Sequence, residues 1–358
     1  MIILFYGVFM LNLKSILSLA LSSCSLLPLC IQAKIPESRM INYEHKISLT
    51  NEQKINLEKL ANSIHAESFK KLYSSDGWGK YGKFSDLGME VQGSLAYGMA
   101  LADSSDLDIA FIYKYNNGDS MIKFDPVQFK NIAINSFKST FGNKYVYTIK
   151  APVVNLKNKT EDIDIAFFNI LSQSTMLCST ANRCSELNYG KDSATASWYK
   201  SERLSLYSKL DEVFSVNTDK RKLINRAGKI FKVWRSKTFS TQTVKVPSIA
   251  LVTIMYDFEK DKNNPDNYSS SIEMLRDMTY YGVVKYFKDK SCSGASSAEI
   301  NLPVYQQDRN LLNRLNSAQR IDFCKNLVKF NEALEYSASE KVSEAESVKT
   351  LEPFIGSL

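Results

Sequence analysis

The sequence predicts an α+β protein of two lobes, a mixed sheet with helices in its first half and a helical lobe in its second. Three observations carry that prediction. Leu107, Ile109 and Phe111 alternate with Asp106 and Asp108, the period of a strand buried on one face. Residues 151–156 and 162–169, apolar runs separated by the polar stretch 157–160, read as a hairpin. From Asn217 the period changes to that of a helix, with Leu223, Ala227, Ile230, Phe231 and Trp234 on one stripe.

The 358 residues, 44% hydrophobic and 23% charged, have a globular composition and are enough for two cores. The formal net charge of +7 suits a polyanionic ligand such as a nucleoside triphosphate or RNA without requiring one, because a basic excess is commonly a solvated surface. Only two histidines, His45 and His65, are present, and no Cys/His spacing matches a zinc site.

Residues 1–33 carry one charge, Lys14, ahead of a stretch of apolar and small residues, and read as a signal peptide starting at Met1 or Met10 and cleaved after Ala33. Alternatives stay open. Leu21-Ser22-Ser23-Cys24 resembles a lipoprotein box that would place a lipid on Cys24, and an uncleaved membrane anchor would be short for a span. A start at Met40 would make the protein cytoplasmic. Without Cys24 and Cys30 four cysteines remain: Cys178 and Cys184, close enough to close a small loop, and Cys292 and Cys324. Two disulfides would fit export; four buried thiols would fit the cytosol.

Thr50 followed by Gln53 signals a capped helix, with Leu57, Leu60, Ala61 and Ile64 as its apolar stripe and His65 at the surface or at a cap. Asp76-Gly77-Trp78-Gly79 breaks it, and residues 87–91 lead into Gly93-Ser94 as a short strand or turn. After the strand ending near Tyr113 comes the turn Asn116-Asn117-Gly118-Asp119. A helix over 126–140 and a strand through Tyr145, Tyr147 and Ile149 follow.

Asp106 and Asp108 project side by side from their strand, where they repel unless a cation lies between them. Gly93-Ser94 supplies backbone N–H groups and a hydroxyl suited to phosphate. Gly93-Ser94, then Ser105-Asp106-Leu107-Asp108 on an apolar strand, resembles the signature of the nucleotidyltransferases related to DNA polymerase β. That superfamily includes poly(A) polymerases, terminal uridylyltransferases and the cGAS-like oligonucleotide synthases. The resemblance covers about residues 50–337.

The resemblance implies a palm domain over 34–172, a helical domain over 173–337 and an NTP bound between them. It implies two Mg²⁺ or Mn²⁺ ions on Asp106, Asp108 and a third carboxylate. Asp162 and Asp164 share a strand face, so periodicity does not separate them; Asp164 matches the family position. Gly93 and Ser94 would hold phosphates. In Lys232-Val233-Trp234-Arg235, Lys232 matches the lysine that reaches the β- and γ-phosphates, while Lys222, Arg226 and Lys229 form a basic edge. Ser248 opens a helix in Pro247-Ser248-Ile249-Ala250-Leu251, where uridylyltransferases have Ser-Tyr; Ile249 makes the pattern closer to the cGAS-like enzymes. So do Leu302-Pro303-Val304, residues 308–315 and a helix over 317–337.

The expected activity is transfer of NMP from NTP to a nucleotide hydroxyl, giving short or cyclic oligonucleotides. The alternatives are extension of an RNA 3′ end and an inactive nucleotide-binding module. A membrane would be a partner only through an uncleaved or lipidated N-terminus. Export would place the activity in a recipient cell's cytosol. Residues 338–358, rich in Ser and Glu, read as a mobile tail.

Overall fold

The computed structural model describes residues 35–74, 84–103, 106–115, 125–170, 184–202, 209–210, 218–242, 245–265, 267–303, 309–339 and 341–358. The signal-like segment 1–33, the break at 76–79, Ser105, the turn at 116–119, and Cys178 lie outside them.

Among the described residues, the first lobe is built on a sheet of seven strands. β1 (Phe84–Gln92) pairs antiparallel with β2 (Leu107–Tyr115), and β2 runs parallel to β5 (Asp162–Ile170). The other edge of β5 is shared. Its start pairs with β4 (Val154–Lys157), which pairs with β3 (Val146–Ile149). Its end pairs with β6 (Cys184–Tyr189), which pairs with β7 (Ser197–Glu202). Asn158 closes the β4–β5 turn, its Oδ1 accepting from the backbone N–H groups of Thr160 and Glu161 at 2.8 Å each.

Strand alternation decides what each face meets. Ile109, Phe111, Ile163, Ile165 and Phe167 face one core, closed by α2 (Asn51–Tyr73) and α4 (Pro126–Phe141), the short α3 (Gly93–Ala96) lying between β1 and β2. Ala110, Ile112, Ala166 and Phe168 face the other side, where Asp108 and Asp164 also point. Thr50 and Gln53 make the reciprocal capping bonds at the start of α2 that the sequence signals. His65 is half-buried rather than a surface or cap residue: its ring lies 5.5 Å from that of Phe111, edge to face.

The second lobe packs α5 (Thr218–Thr238), α6 (Ser248–Lys260), α7 (Ser271–Phe287) and α8 (Ser317–Ser337) around a large apolar core. Trp234 is fully buried and stacks on Phe330 at 5.2 Å. A disulfide joins Cys292, just after α7, to Cys324 on α8 across 32 residues, a closure contributing about 3–4 kcal/mol in the loop-entropy model.

Four sequence expectations are corrected. The sheet lobe continues past residue 172, because β6 and β7 extend its sheet. Ser185, Glu186 and Asn188 are buried there, so the strand pairs through a polar sequence that gave no apolar signal. Residues 344–355 form α9 (Glu344–Ile355) instead of a mobile tail. Ser343 and Glu346 cap it, and Leu351 and Ile355 sit in the helical core.

The first helix, α1 (Glu37–Ile47), packs on the helical lobe, not the palm: Ile35, Met40 and Tyr43 belong to the helical core. Arg226 and Lys229 are no basic edge either. Both are buried, Arg226 against Glu37 and Glu44, Lys229 against Glu44 at 2.6 Å. Glu37 also accepts from the backbone N–H of Ser271 at the start of α7, 2.8 Å. Lys222 alone of the three stays exposed, paired with Asp219 at 3.0 Å. A start at Met40 would remove Ile35, Glu37 and Arg39, leaving the buried Arg226 with one of its two carboxylate partners gone.

Candidate active site

Between the lobes lies a cleft of about 1050 Å³. Its walls carry Gly93, Ser94, Asp106, Asp108 and Asp164 from the palm, and Lys232 and Ser248 from the helical lobe. These are the residues the sequence singled out, drawn from five separate stretches to one place. Asp162 is not among the lining residues.

The register of the sheet explains the convergence. Asp108 on β2 lies directly across from Asp164 on its parallel neighbour β5. On its other side Asp108 pairs with Gln92, the last residue of β1, so the chain turns at Gly93 directly over the carboxylate. Gly93 has φ +65°, and a Cβ there would fall 1.8 Å from Asp108 Oδ2. Only glycine combines that backbone conformation with that approach.

Two of the carboxyls are raised above their ordinary range. Burial, then the charges of Asp164 and Asp106, push Asp108 up to about 7. Burial, then Asp162 and Asp164, raise Asp106 as well. Burial and the Asp108 charge raise the Tyr97 phenol. From the other lobe, Lys232 donates to the Met99 carbonyl at 2.8 Å, and the Met99 N–H donates to the Ser94 carbonyl at 2.9 Å. The lysine is thereby fixed to the segment that follows the Gly-Ser turn. Burial, then repulsion from Arg235, lower it to about 8 against the pull of Asp108 and Asp106.

Asp162 and Asp164, equivalent by periodicity, differ in their surroundings. Asp162 is engaged by Lys157 and by Asn155 Nδ2 at 2.6 Å, and although burial raises it, these hydrogen bonds hold it below the usual carboxylate range. Asp164 accepts from the same Asn155 nitrogen at 2.7 Å and from Lys150 Nζ at 2.9 Å. Sequence reading missed both Asn155 and Lys150. Lys150 fell between two strand assignments, and the signal overlooked was a cation in the turn that leads into β4, the antiparallel neighbour of β5.

Three carboxylates on one wall are hard oxygen donors of the kind that divalent cations such as Mg²⁺ take. A cation would also offset the burial and the repulsion that hold Asp108 high. In its donor chemistry the site therefore fits the ions that the sequence resemblance implies. As placed, no three His, Cys, Asp or Glu side chains among the described residues gather into a metal-binding group, and Asp164 is turned onto Lys150 and Asn155.

No protein-family model matches the chain, and no curated protein matches it in sequence. Solved structures do match. CdnC from E. coli MS115-1, solved with ATP, superposes with a TM-score of 0.65 at 14% identity, over 90% of this chain and 98% of that one. Vibrio cholerae DncV, a cyclic AMP-GMP synthase described as a prokaryotic cGAS homolog, matches at 0.67 and 13% identity in its complex with nonhydrolyzable GTP, covering 89% and 95%. The same enzyme with the linear intermediate 5′ pppA(3′,5′)pG matches at 0.65 and 13%, covering 88% and 93%. The fold is thus the bilobal one of the DncV-like nucleotidyltransferases, a mixed-sheet palm facing a helical lobe.

Proposed function

We propose that the protein is a nucleotidyltransferase that joins nucleoside triphosphates into short or cyclic oligonucleotides. The observation that carries this reading is the composition of the cleft: a carboxylate cluster on one wall and a buried lysine on the facing lobe, in a volume at the upper end of small-molecule sites. Two nucleotides need such a space. The fold shared with DncV and CdnC, at nearly full length, supports the reading.

In the proposed reaction a nucleotide hydroxyl attacks the α-phosphorus of a bound NTP. The new P–O bond forms in line with the bond to the β-phosphate, which breaks to release pyrophosphate. Mg²⁺ held by Asp106, Asp108 and Asp164 would lower the pKa of the attacking hydroxyl and neutralise charge on entering and leaving oxygens. The Gly93-Ser94 turn orients the phosphates of the donor. Lys232, pinned by Met99, brings positive charge to the leaving pyrophosphate from the opposite lobe.

The test is product analysis. The purified protein, incubated with Mg²⁺ or Mn²⁺ and the four labelled NTPs, is expected to give short oligonucleotides without added RNA. Extension of labelled RNA at its 3′ end, with nothing made in its absence, would replace this acceptor by an RNA terminus. Such tailing would also weaken steeply with salt as strand phosphates release counterions.

We also propose that the protein is exported. The Cys292–Cys324 disulfide supports this, because such bonds persist in oxidising compartments. The signal-like composition of residues 1–33 supports it too. The NTPs would then be met in a recipient cell's cytosol. Protein recovered outside the producing cells should begin after Ala33 and lack free thiol at Cys292 and Cys324. A cell-retained chain with both thiols reduced would count against export.

A further inference from the structure

Among the described residues, Lys130 is the most deeply buried charge in the palm, with 0% of its surface exposed. Lysine is seldom fully buried without a carboxylate partner, yet among the described residues none pairs with it. Its ammonium group instead donates to three backbone carbonyls: Lys150 at 3.0 Å, Ala151 at 2.6 Å and Gly190 at 2.8 Å. Three donors meet three acceptors, so the group is fully satisfied. Burial alone pushes it down to about 7, which shows how much of its solvation those carbonyls must replace.

The carbonyls belong to two turns. Residues 150–153 connect β3 to β4, closed by reciprocal bonds between Lys150 and Val153 at 2.9 and 3.3 Å. Gly190 begins the β6–β7 turn and donates its own N–H to Ala151 at 2.8 Å. The first turn does two things at the cleft. It puts Pro152 and Val153 on the wall, and it delivers the Lys150 ammonium onto Asp164. The Lys150 side chain is 44% exposed, so where its ammonium group reaches depends on how its backbone is held.

We propose that Lys130 is a positioning residue for nucleotidyl transfer: an internal cation that locks the 150–153 turn to the β6–β7 turn and so sets Lys150 and the cleft wall against Asp164. Its work is geometric. It touches no part of the cleft, and it acts from α4 through the backbone of the turn. Removing it would not strip the Lys150 and Ala151 carbonyls bare, since they also accept from Val153 and Gly190, and of the three only the Gly190 carbonyl would lose its one donor among the described residues. Each turn would keep its own internal bonds, but the two would be joined to each other only by the Gly190–Ala151 bond.

This rests on the nucleotidyltransferase reading, and the experiment separates the two. In Lys130→Met, which keeps an unbranched stem and removes the charge, kcat is expected to fall about 10–100-fold, as for displacement of a reacting group by a fraction of an ångström to an ångström. KM for the NTP should change by less than about threefold, because the groups that bind phosphate lie elsewhere. Hydrogen exchange should quicken at the Val153 and Gly190 amides and not across β2 and β5. Wild-type kcat in the folded variant would overturn the proposal, as would exchange that rises evenly through the palm. Where Lys130→Met does not fold, Lys130→Arg serves: it keeps the charge but spreads its N–H groups over three nitrogens. It should show the same drop in kcat, and unchanged kcat would again overturn the proposal. If the wild-type protein makes no nucleotide product at all, the catalytic reading falls by itself. The local exchange change then still decides whether Lys130 holds the two turns.

Discussion

Asp108→Asn is expected to abolish the proposed nucleotide joining and to make the metal-free protein more stable. The expected loss of activity is on the order of 10³-fold or more, because the substitution removes the carboxylate at the centre of the cluster while preserving its shape. Shape matters here: Gly93 is pressed onto this side chain, and asparagine fills the same space that alanine would leave empty. The gain in stability follows from Asp108 being pushed up to about 7 by burial and by Asp164 and Asp106. Its folded-state value lies above its unfolded one, so between about pH 4 and pH 7 the folded chain holds a proton that the unfolded chain has released. Stability therefore falls as pH rises through that window, and the cost is complete above it. The variant lacks the cost, so its advantage is absent below about pH 4 and full above about pH 7. There it is on the order of 2–4 kcal/mol, several degrees in melting temperature. Melting in chelator at pH 5 and pH 8, beside pyrophosphate release with Mg²⁺, measures both effects. Undiminished turnover would remove Asp108 from the site, and a lower melting temperature at pH 8 would refute the repulsion argument.

Wherever the signal was local, the sequence was informative. β2 alternates because one face meets α2 and α4 and the other meets the cleft, and alternation is visible in seven residues. The caps at Thr50 and Gln53, and the helix over 317–337, needed nothing beyond their own neighbours. What failed depended on distant partners. Arg226 and Lys229 read as a solvated edge because Glu37 and Glu44, which bury them, lie more than 180 residues earlier. Cys184–Tyr189 is a strand because β5 and β7 flank it, not because its own residues are apolar. The C-terminal helix was a different failure. Ser343 and Glu346 announce it locally, but the Ser/Glu composition outweighed that signal and the spacing of Leu351 and Ile355. Lys130 looked like one lysine among many, because nothing in a sequence says that three carbonyls from two other turns converge on it.

Asp164→Asn costs far more activity than Asp162→Asn, although the two carboxylates are neighbours on one strand face. Period two places both on the cleft side of β5, and there the sequence stops. The register across to β2 adds the missing information: Asp164 stands opposite Asp108, whereas Asp162 lies one step beyond, where β2 has not yet begun. Asp164 lines the cleft. Asp162 instead closes a surface contact with Lys157 and shares the Asn155 amide at 2.6 Å. In the proposed reaction, neutralising Asp164 takes away a carboxylate oxygen donor of the cleft wall, with an expected loss on the order of 10²-fold or more in kcat. Neutralising Asp162 removes an exposed ion pair and leaves a side chain that still hydrogen-bonds, so activity should stay within about threefold of wild type. Asn155 makes the comparison stringent, because it holds both carboxylates at once, and a purely structural role would make the two variants fail alike. Steady-state rates of the two variants, taken with their melting curves, decide it. Equal losses would mean that Asn155 and the hairpin, not the Asp164 carboxylate, are what the reaction needs, and the reverse order would move the third carboxylate to Asp162.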